Sequence, residues 1–323
     1  MTEAPPPTVL VTGALGQIGT ELVSALRKRY GSDSVIASDI REIEGHPVIN
    51  NGPFLTADVL DKEALEVIIE ESNVDIIYHL AAILSATGEK NPALCERVNI
   101  GGLANVLELA REHGLRVFSP SSIAVFGPDC PDHAPQQTPL NPTTTYGKTK
   151  VSGEVMARYY WEVHGVDVRG LRYPGLISWK APAGGGTTDY AVEIFHNAVT
   201  TGEYSCFVGP DTRLPMMYMD DAIRATLELM DASVDSISEA RGGYNISGCS
   251  FSVSELVTAI NKSLNQFECT YSPDIRQEYA DSWPDSVDDS EARNDWGWKA
   301  EFGLEQLVNE MLTNLERTRE VEA

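Results

Sequence analysis

Near the middle of the chain, Tyr146-Gly147-Lys148-Thr149-Lys150 sets a phenol and an ammonium four residues apart. On a helix, those two positions lie one above the other on a single face. An ammonium beside a phenol favours the phenolate and lowers a hydroxyl pKa that is ordinarily about 10. A tyrosine tuned in this way removes a proton near neutral pH. The same five residues could equally begin an ordinary helix, so the elements around the pair decide its meaning.

A second chemical signal lies at the N-terminal end. Thr8 to Thr12 reads as a short apolar strand, and it runs directly into Gly13-Ala14-Leu15-Gly16-Gln17-Ile18-Gly19 and a helical pattern through Leu22, Ala25 and Leu26. Glycines in this setting let the backbone approach a pyrophosphate at a helix N-terminus, where free N–H groups and the dipole favour anions. Asp39 follows Gly19 by 20 positions and closes the next strand, Ser34 to Ser38. It is placed to accept hydrogen bonds from ribose hydroxyls and to repel a 2′-phosphate, which selects NAD over NADP. Arg41, close by, is able to neutralise that phosphate. Asp58, after a third strand, has two readings: a partner for an adenine amino group, or the cap of the helix ahead of Lys62.

These groups need a scaffold, and the chain alternates accordingly. Strand patterns at Phe54 to Ala57, Asp75 to Leu80, Arg116 to Pro120 and Asp167 to Arg172 are separated by helical patterns at Lys62 to Glu71, Pro92 to His113 and from Tyr146 onward. Such βαβ alternation predicts an α/β fold: a Rossmann doubly wound parallel sheet covered by helices on both faces. After Pro174 the alternation loosens into a smaller C-terminal, substrate-binding part. It holds a glycine-rich loop from Ala183 to Thr188 and helices at Asp189 to Thr201, Asp220 to Met230 and Leu304 to Arg319. Another helix starts at Phe251-Ser252-Val253-Ser254-Glu255, where Ser252 and Glu255 form a capping box. Tyr271 to Trp298 reads as irregular. The division expected is a flexible tail at 1–7, a dinucleotide domain at 8–175 and a mainly substrate-binding domain at 176–323, with part of 212–246 returning to the first.

Composition removes several function classes. The chain has 323 residues and 42% hydrophobic content, enough for a large core, with 24 Lys+Arg against 48 Asp+Glu and a net charge of −24. Such a surface repels nucleic acid and anionic membranes, so neither is a partner. Carboxylates are abundant without forming a run, which we read as a solvated acidic surface suited to high salt. Five scattered cysteines, without C-x-x-C, argue for reduced thiols in a cytoplasmic compartment and against a disulfide framework or metal site. Met1 to Thr8 lacks the regions of a signal peptide, and no apolar run reaches membrane-spanning length.

Taken in order, the Gly13 to Gly19 loop, His79-Leu80-Ala81-Ala82, Asn99, Ser121-Ser122 and Tyr146 to Lys150 resemble the extended short-chain dehydrogenase/reductases. Tyr173-Pro174-Gly175-Leu176-Ile177-Ser178-Trp179, Gly184 to Tyr190, Ser282 to Asp289 and Asp295 to Trp298 resemble the short-chain-type L-threonine 3-dehydrogenases within that superfamily. Ser122 stands where that group often has threonine. The resemblance implies oxidation of the threonine β-hydroxyl at C3 by NAD, giving 2-amino-3-oxobutyrate. Tyr146 is then the general base, Lys150 its electrostatic partner and a ligand of the nicotinamide ribose, and Ser122 the hydroxyl that holds the substrate oxygen.

The resemblance further implies that Gly13, Gly16, Gln17, Ile18, Gly19, Asp39, Asp58, Val59, Leu80, Ala81, Asn99 and Tyr173 hold the cofactor together with Tyr146 and Lys150. A zwitterionic amino acid needs donors for its carboxylate and acceptors for its ammonium. Ser85, Ser121, Gly186, Thr187, Thr188, Asp189 and Trp283 are the residues expected around it. Thr188 has the alternative of capping the following helix, and Trp283 and Tyr190 that of being core. His79, in an apolar strand, reads as a satisfied core histidine. Asp220 reads as a helix cap, and Met216 to Met219 as the packing between domains. Relatives also imply a homodimer built on the helices at Pro92 to His113 and Tyr146 to His164. A nucleotide-sugar 4-epimerase or dehydratase is the alternative on this scaffold, but the second half lacks the cation cluster a diphosphate needs. A non-catalytic dinucleotide sensor has no use for Ser122, Tyr146 and Lys150 together.

Overall fold

The computed structural model describes residues 5–180, 184–264 and 266–322; the first four residues of the expected tail, and Ala183, lie outside them. Val9-Leu10-Val11-Thr12 (β1) is buried along its whole length, as a central parallel strand covered on both faces must be. It pairs in parallel with β2 (Val35–Asp39) and β4 (Ile76–His79), and the sheet extends through β3 (Phe54–Thr56), β5 (Arg116–Phe118) and β8 (Val168–Arg169) in the order β3-β2-β1-β4-β5-β8. This strand order is that of the doubly wound dinucleotide fold, and its crevice opens where the order reverses, between the carboxyl ends of β1 and β4. Thr12 and His79 meet there, in register, Oγ1 to Nδ1 at 2.9 Å.

Helices α1 (Gln17–Tyr30), α2 (Pro47–Asn50) and α9 (Met219–Asp231) cover one face. The other is covered by α3 (Lys62–Ser72), α6 (Leu103–His113) and α7 (Thr145–His164). The predicted helix from Pro92 to His113 is divided: α5 (Pro92–Glu96) passes through a π-helical stretch at Arg97–Gly102 before α6, with the short α4 (Ser85–Lys90) preceding it. Buried Asn99 sits in that stretch, and its amide bonds the backbone of Ile83.

The predicted strand from Asp167 to Arg172 is also two strands. At Gly170 the chain leaves β8, and β9 (Leu171–Tyr173) pairs instead with β6 (Ser121–Ser122) and β13 (Tyr244–Asn245). Backbone bonds from Gly170 to Arg241 and Tyr244 fix the change. The consequence is that Ser121 and Ser122 stand clear of the main sheet, facing α7.

A third core lies in the C-terminal half, where α8 (Tyr190–Thr200), α10 (Val253–Asn261) and α13 (Leu304–Glu322) pack together. Its strands are β10 (Gly175–Ile177), β12 (Arg213–Tyr218) and β14 (Cys249–Ser252) in one sheet and β11 (Glu203–Cys206) with β15 (Glu268–Tyr271) in another. Met216 belongs to this core, whereas Met217 and Met219 belong to the core under α1 and α9, so one run of methionines joins the two. The capping box on α10 forms as predicted. Asp220 does not cap α9: Tyr218 occupies that position, and Asp220 lies in the first turn, where its charge still suits the dipole. The stretch read as irregular contains α11 (Ile275–Ala280), β16 (Ser286–Val287), paired with β7 (His133–Ala134), and α12 (Ser290–Trp296). Among the described residues no helix is long and apolar enough to cross a membrane.

Candidate active site

At the crevice, Gly13 has φ of +68°, and a side chain there would stand 2.6 Å from the backbone nitrogen of Ala81. The turn therefore rests directly on Leu80 and Ala81, the end of β4. Gly16 N–H donates back to the Gly13 carbonyl, and Gly19 packs in the first turn of α1 against that same oxygen. Helix α1 begins at Gln17 without a side-chain cap, so the N–H groups of Gln17 and Ile18 are presented to the crevice. Asp39 is buried at the end of β2. Its carboxylate accepts from Leu15 N at 3.1 Å, inside the turn, and from Arg41 N at 3.1 Å. The Arg41 guanidinium is tied back to the same carboxylate at 3.3 Å. Asp58 accepts from Leu60 N at 3.0 Å and does not cap α3; Asp61 does, through Ala64 N. Val59 is buried against Gly102. A turn seated on backbone, an uncapped helix start and a carboxylate at the strand end together fit a dinucleotide.

Tyr146 and Lys150 stand one turn apart on α7, whose start is capped by Thr144 accepting from Gly147 N at 3.0 Å. Gly147 is needed here: a Cβ at that position would collide with the Ala124 carbonyl oxygen, just after Ser122. Its absence lets α7 approach β6, and the Ser122 hydroxyl comes near enough to Tyr146 to oppose the effect of burial on the phenol. Ser122 Oγ also accepts from Ala124 N at 3.2 Å, which fixes its rotamer. The Lys150 ammonium lies 5.6 Å from the Tyr146 ring centre and donates to the Pro120 carbonyl at 2.8 Å.

The expected lowering of the phenol by its lysine is not what dominates. Burial pushes Tyr146 up to about 12, with the Ser122 hydroxyl working against that rise. Burial likewise holds the Lys150 ammonium down, at about 8. His79 is buried, pushed down to about 3 chiefly by burial and further by Lys150, and bonded to Thr12, the neutral core imidazole the sequence indicated.

Asn99 is a positioning group. Its amide donates to Ile83 O and Thr149 Oγ1, both at 3.0 Å, and accepts from Ile83 N at 2.8 Å, so the segment after β4 is tied to α7. The Tyr173 ring packs against Phe118, and its hydroxyl bonds Thr226 on α9. Ser121 turns away from Ser122 and donates to Glu154 at 2.5 Å.

Facing this group, the loop from Gly184 to Asp189 meets α4. Ser85 Oγ lies 3.3 Å from Thr187 Oγ1 and accepts from Thr187 N at 3.2 Å. The Asp189 carboxylate accepts from both Gly185 N and Gly186 N at 2.7 Å, so it closes its own loop. Burial raises its pKa, partly offset by those two bonds. Thr188 packs on Gly175 and leaves the cap position of α8 to Asp189. Trp283 is buried in the cluster that includes Tyr146 and Cys95, and Tyr190 is fully buried against Phe207.

Two acids were not singled out from sequence. Glu89 on α4 accepts from Tyr146 N at 3.3 Å and lies near Thr145 Oγ1, supporting the α7 start. Glu154, one further turn along α7 from Lys150, is held by Arg172. The spacing Tyr146, Lys150, Glu154 was the available signal. The five cysteines are unpaired.

The model of the NAD dependent epimerase/dehydratase family matches residues 9–246. The chain belongs to that family, and the fold and site are those of an NAD-dependent dehydrogenase. Among curated relatives it is similar to the mitochondrial L-threonine 3-dehydrogenase of Bos taurus, 50% identical over 96% of this chain and 83% of that protein. Among solved structures it is similar to a monomeric L-threonine 3-dehydrogenase from a metagenome, at 55% identity and TM-score 0.93 over 96% of this chain and 99% of the other. The holo form of a GalE-like L-threonine dehydrogenase from Cupriavidus necator is 52% identical, with TM-score 0.93 over 96% of this chain and all of that one.

Proposed function

We propose that this chain oxidises L-threonine at C3 to 2-amino-3-oxobutyrate, with Tyr146 as general base. The observation that carries the reading is the convergence of Tyr146, Lys150 and Ser122 at the carboxyl end of the sheet beside the glycine turn. The choice of threonine is supported by relatives of that name spanning nearly the whole chain, the Gly184 to Tyr190 loop included.

Gly13, Gly16, Gln17, Ile18 and Gly19 hold the pyrophosphate of NAD, Asp39 the adenine-side ribose, Asp58 and Val59 the adenine, and Leu80 and Ala81 form the floor. Asn99 and Tyr173 support that floor from behind. The nicotinamide supplies the hydride acceptor and a positive charge. Ser122 holds the threonine hydroxyl in line, and Tyr146 takes its proton as the hydride leaves C3. Bringing a phenol from about 12 to about 7 requires roughly 7 kcal/mol of differential stabilisation. A cation at the distance of Lys150 supplies on the order of 3 kcal/mol at an effective dielectric near 20. The remainder falls to the charge of the oxidised cofactor and to the Ser122 hydroxyl.

Ser85, Thr187 and Thr188 offer hydroxyls to the substrate carboxylate, with Gly186, Asp189 and Trp283 shaping the wall around it, while Ser121, bonded to Glu154, acts through its neighbour Ser122. The pairing of Asp39 with Arg41 supports preference for NAD, since the guanidinium is engaged by the carboxylate. The five unpaired thiols support a cytoplasmic setting. Val155, Tyr159 and Val163 are exposed on one side of α7, and we assign that stripe to a homodimer contact; light scattering on the purified protein reports its mass.

The test of the function is incubation with NAD and L-threonine while following NADH absorbance. Steady NADH formation is expected. Turnover of a UDP-sugar with none of threonine assigns the chain to the epimerases, and NAD binding without turnover of either makes it a sensor.

A further inference from the structure

Helix α7 carries a third charged group on the face of Tyr146 and Lys150. Glu154 is largely buried and meets Arg172 of β9 through two bonds, Nε to Oε1 at 2.9 Å and Nη2 to Oε2 at 2.7 Å. Oε1 also accepts from Ser121 Oγ at 2.5 Å. Arg172 is itself fixed by the Gln136 carbonyl at 3.0 Å and Asn245 Oδ1 at 3.1 Å. On its other side Glu154 lines a small cavity of about 20 Å³, shared with Lys150, Asn99, His79, Ser119 and Ser121. That is room for one water with several polar partners.

We propose that Glu154 is a positioning residue for the base: its carboxylate faces the Lys150 ammonium across this buried cavity and locks the strand bearing Ser122 to the helix bearing Tyr146. The proposal rests on the assignment of Tyr146 and Lys150 made above. Pro120 holds Lys150 and Ser121 holds Glu154, so the two consecutive residues that lead into Ser122 are tied to successive turns of α7.

The charged groups around Lys150 leave Glu154 as the anion. Cys95 on α5 would favour the ammonium as a thiolate, but burial holds its thiol above the usual range. His79 on β4 is neutral for the reason given, and Tyr146 stays a neutral phenol until the charge of the oxidised cofactor brings it to the phenolate that acts as base. Arg172 on β9 faces Glu154 from the side away from the cavity. One carboxylate thus stands between two cations, and it opposes the effect of burial on Lys150.

The test measures the titration of Lys150 directly, by NMR of ¹³Cε-labelled lysine, assigned with Lys150→Arg, in the wild type and Glu154→Gln. The Lys150 midpoint is expected to fall by about one pH unit in Glu154→Gln. The alkaline limb of kcat/KM for threonine is expected to move down with it, while the KM for NAD holds. A role confined to folding lowers the rate equally at every pH. Should Glu154→Gln not fold, Glu154→Asp keeps the charge with shorter reach and is expected to lower the midpoint by a smaller amount. An unchanged Lys150 midpoint in the folded variant overturns the proposal. If the wild type oxidises no threonine, the proposed function fails, and the NMR midpoint still decides the role of Glu154.

Discussion

Two aspartates clamp two glycine loops on opposite sides of the site, and they do it differently. Asp39 reaches from the end of β2 into the Gly13 turn, accepting from Leu15 N, and it brings Arg41 with it. Asp189 accepts from Gly185 N and Gly186 N, four and three residues before it in its own loop. The first clamp joins the loop to a rigid sheet, so the turn is held by the architecture. The second joins the loop to itself, and among the described residues its hydrogen bonds to the opposite wall come from Ser85 and Ala86. A prebuilt cofactor side and a self-supporting substrate side follow from that contrast. Segments with few tertiary anchors are where local opening is cheapest.

The base lies between the two sides, and its removal gives the largest expected effect. Tyr146→Phe should cut threonine oxidation at least ~100-fold while leaving the Kd for NAD nearly unchanged; comparable activity in steady-state assays would remove Tyr146 from the role of base. On the substrate side, Asp189→Ala should raise the KM for threonine ~10-fold or more by releasing two hydrogen bonds to a charged acceptor. Asp189→Asn retains one oxygen able to accept from both glycines, and its KM should stay within ~3-fold of the wild type. Equal losses in the two variants would instead make the carboxylate a direct partner of the substrate ammonium.

On the cofactor side, Asp39→Asn should reduce the preference for NAD over NADP ~10-fold, the scale of a lost bond to a charged group. A constant ratio of kcat/KM values would shift the selection to Arg41. The smallest effect is on stability. Lys150 titrates at about 8 in the fold against its usual 10.5, so the unfolded chain binds more protons between those values and stability rises with pH across that window. Lys150→Met should therefore raise the melting midpoint at pH 7 by a few degrees while abolishing most turnover. A lower midpoint would show that the ammonium contributes more to the fold through Pro120 and Glu154 than its burial costs.

What was legible in the sequence follows the same contrast. The Gly13 turn, Asp39 and the Tyr146–Lys150 pair declare themselves because their partners lie within one strand-turn-helix unit or one helical turn. Ser252 and Glu255 do so for the same reason. The bond of Ser121 to Glu154 and the break at Gly170 each depend on where the chain returns from a distant segment. No local spacing encodes them. The cap of α3 was one of two readings open for Asp58, and the structure gives it to Asp61, since both acids precede the same helix and only the entry angle of the chain chooses between them. The π-helical stretch at Arg97–Gly102 was not legible in the sequence, and buried Asn99 within it bonds back to Ile83, a partner no helical spacing reveals.

Helix α7 carries Tyr146, Lys150 and Glu154 on one side and Val155, Tyr159 and Val163 on the other, both at intervals of four. At about 3.6 residues per turn, a single inserted or deleted residue rotates everything beyond it by about 100°. An indel between Tyr146 and Lys150 would separate the base from its cation, and one just after Glu154 would turn the apolar stripe toward the sheet. Drift in this gene is thus confined to substitutions along twenty consecutive codons, from Thr145 to His164, whereas an exposed turn such as Glu42 to Gly45 is free to change length.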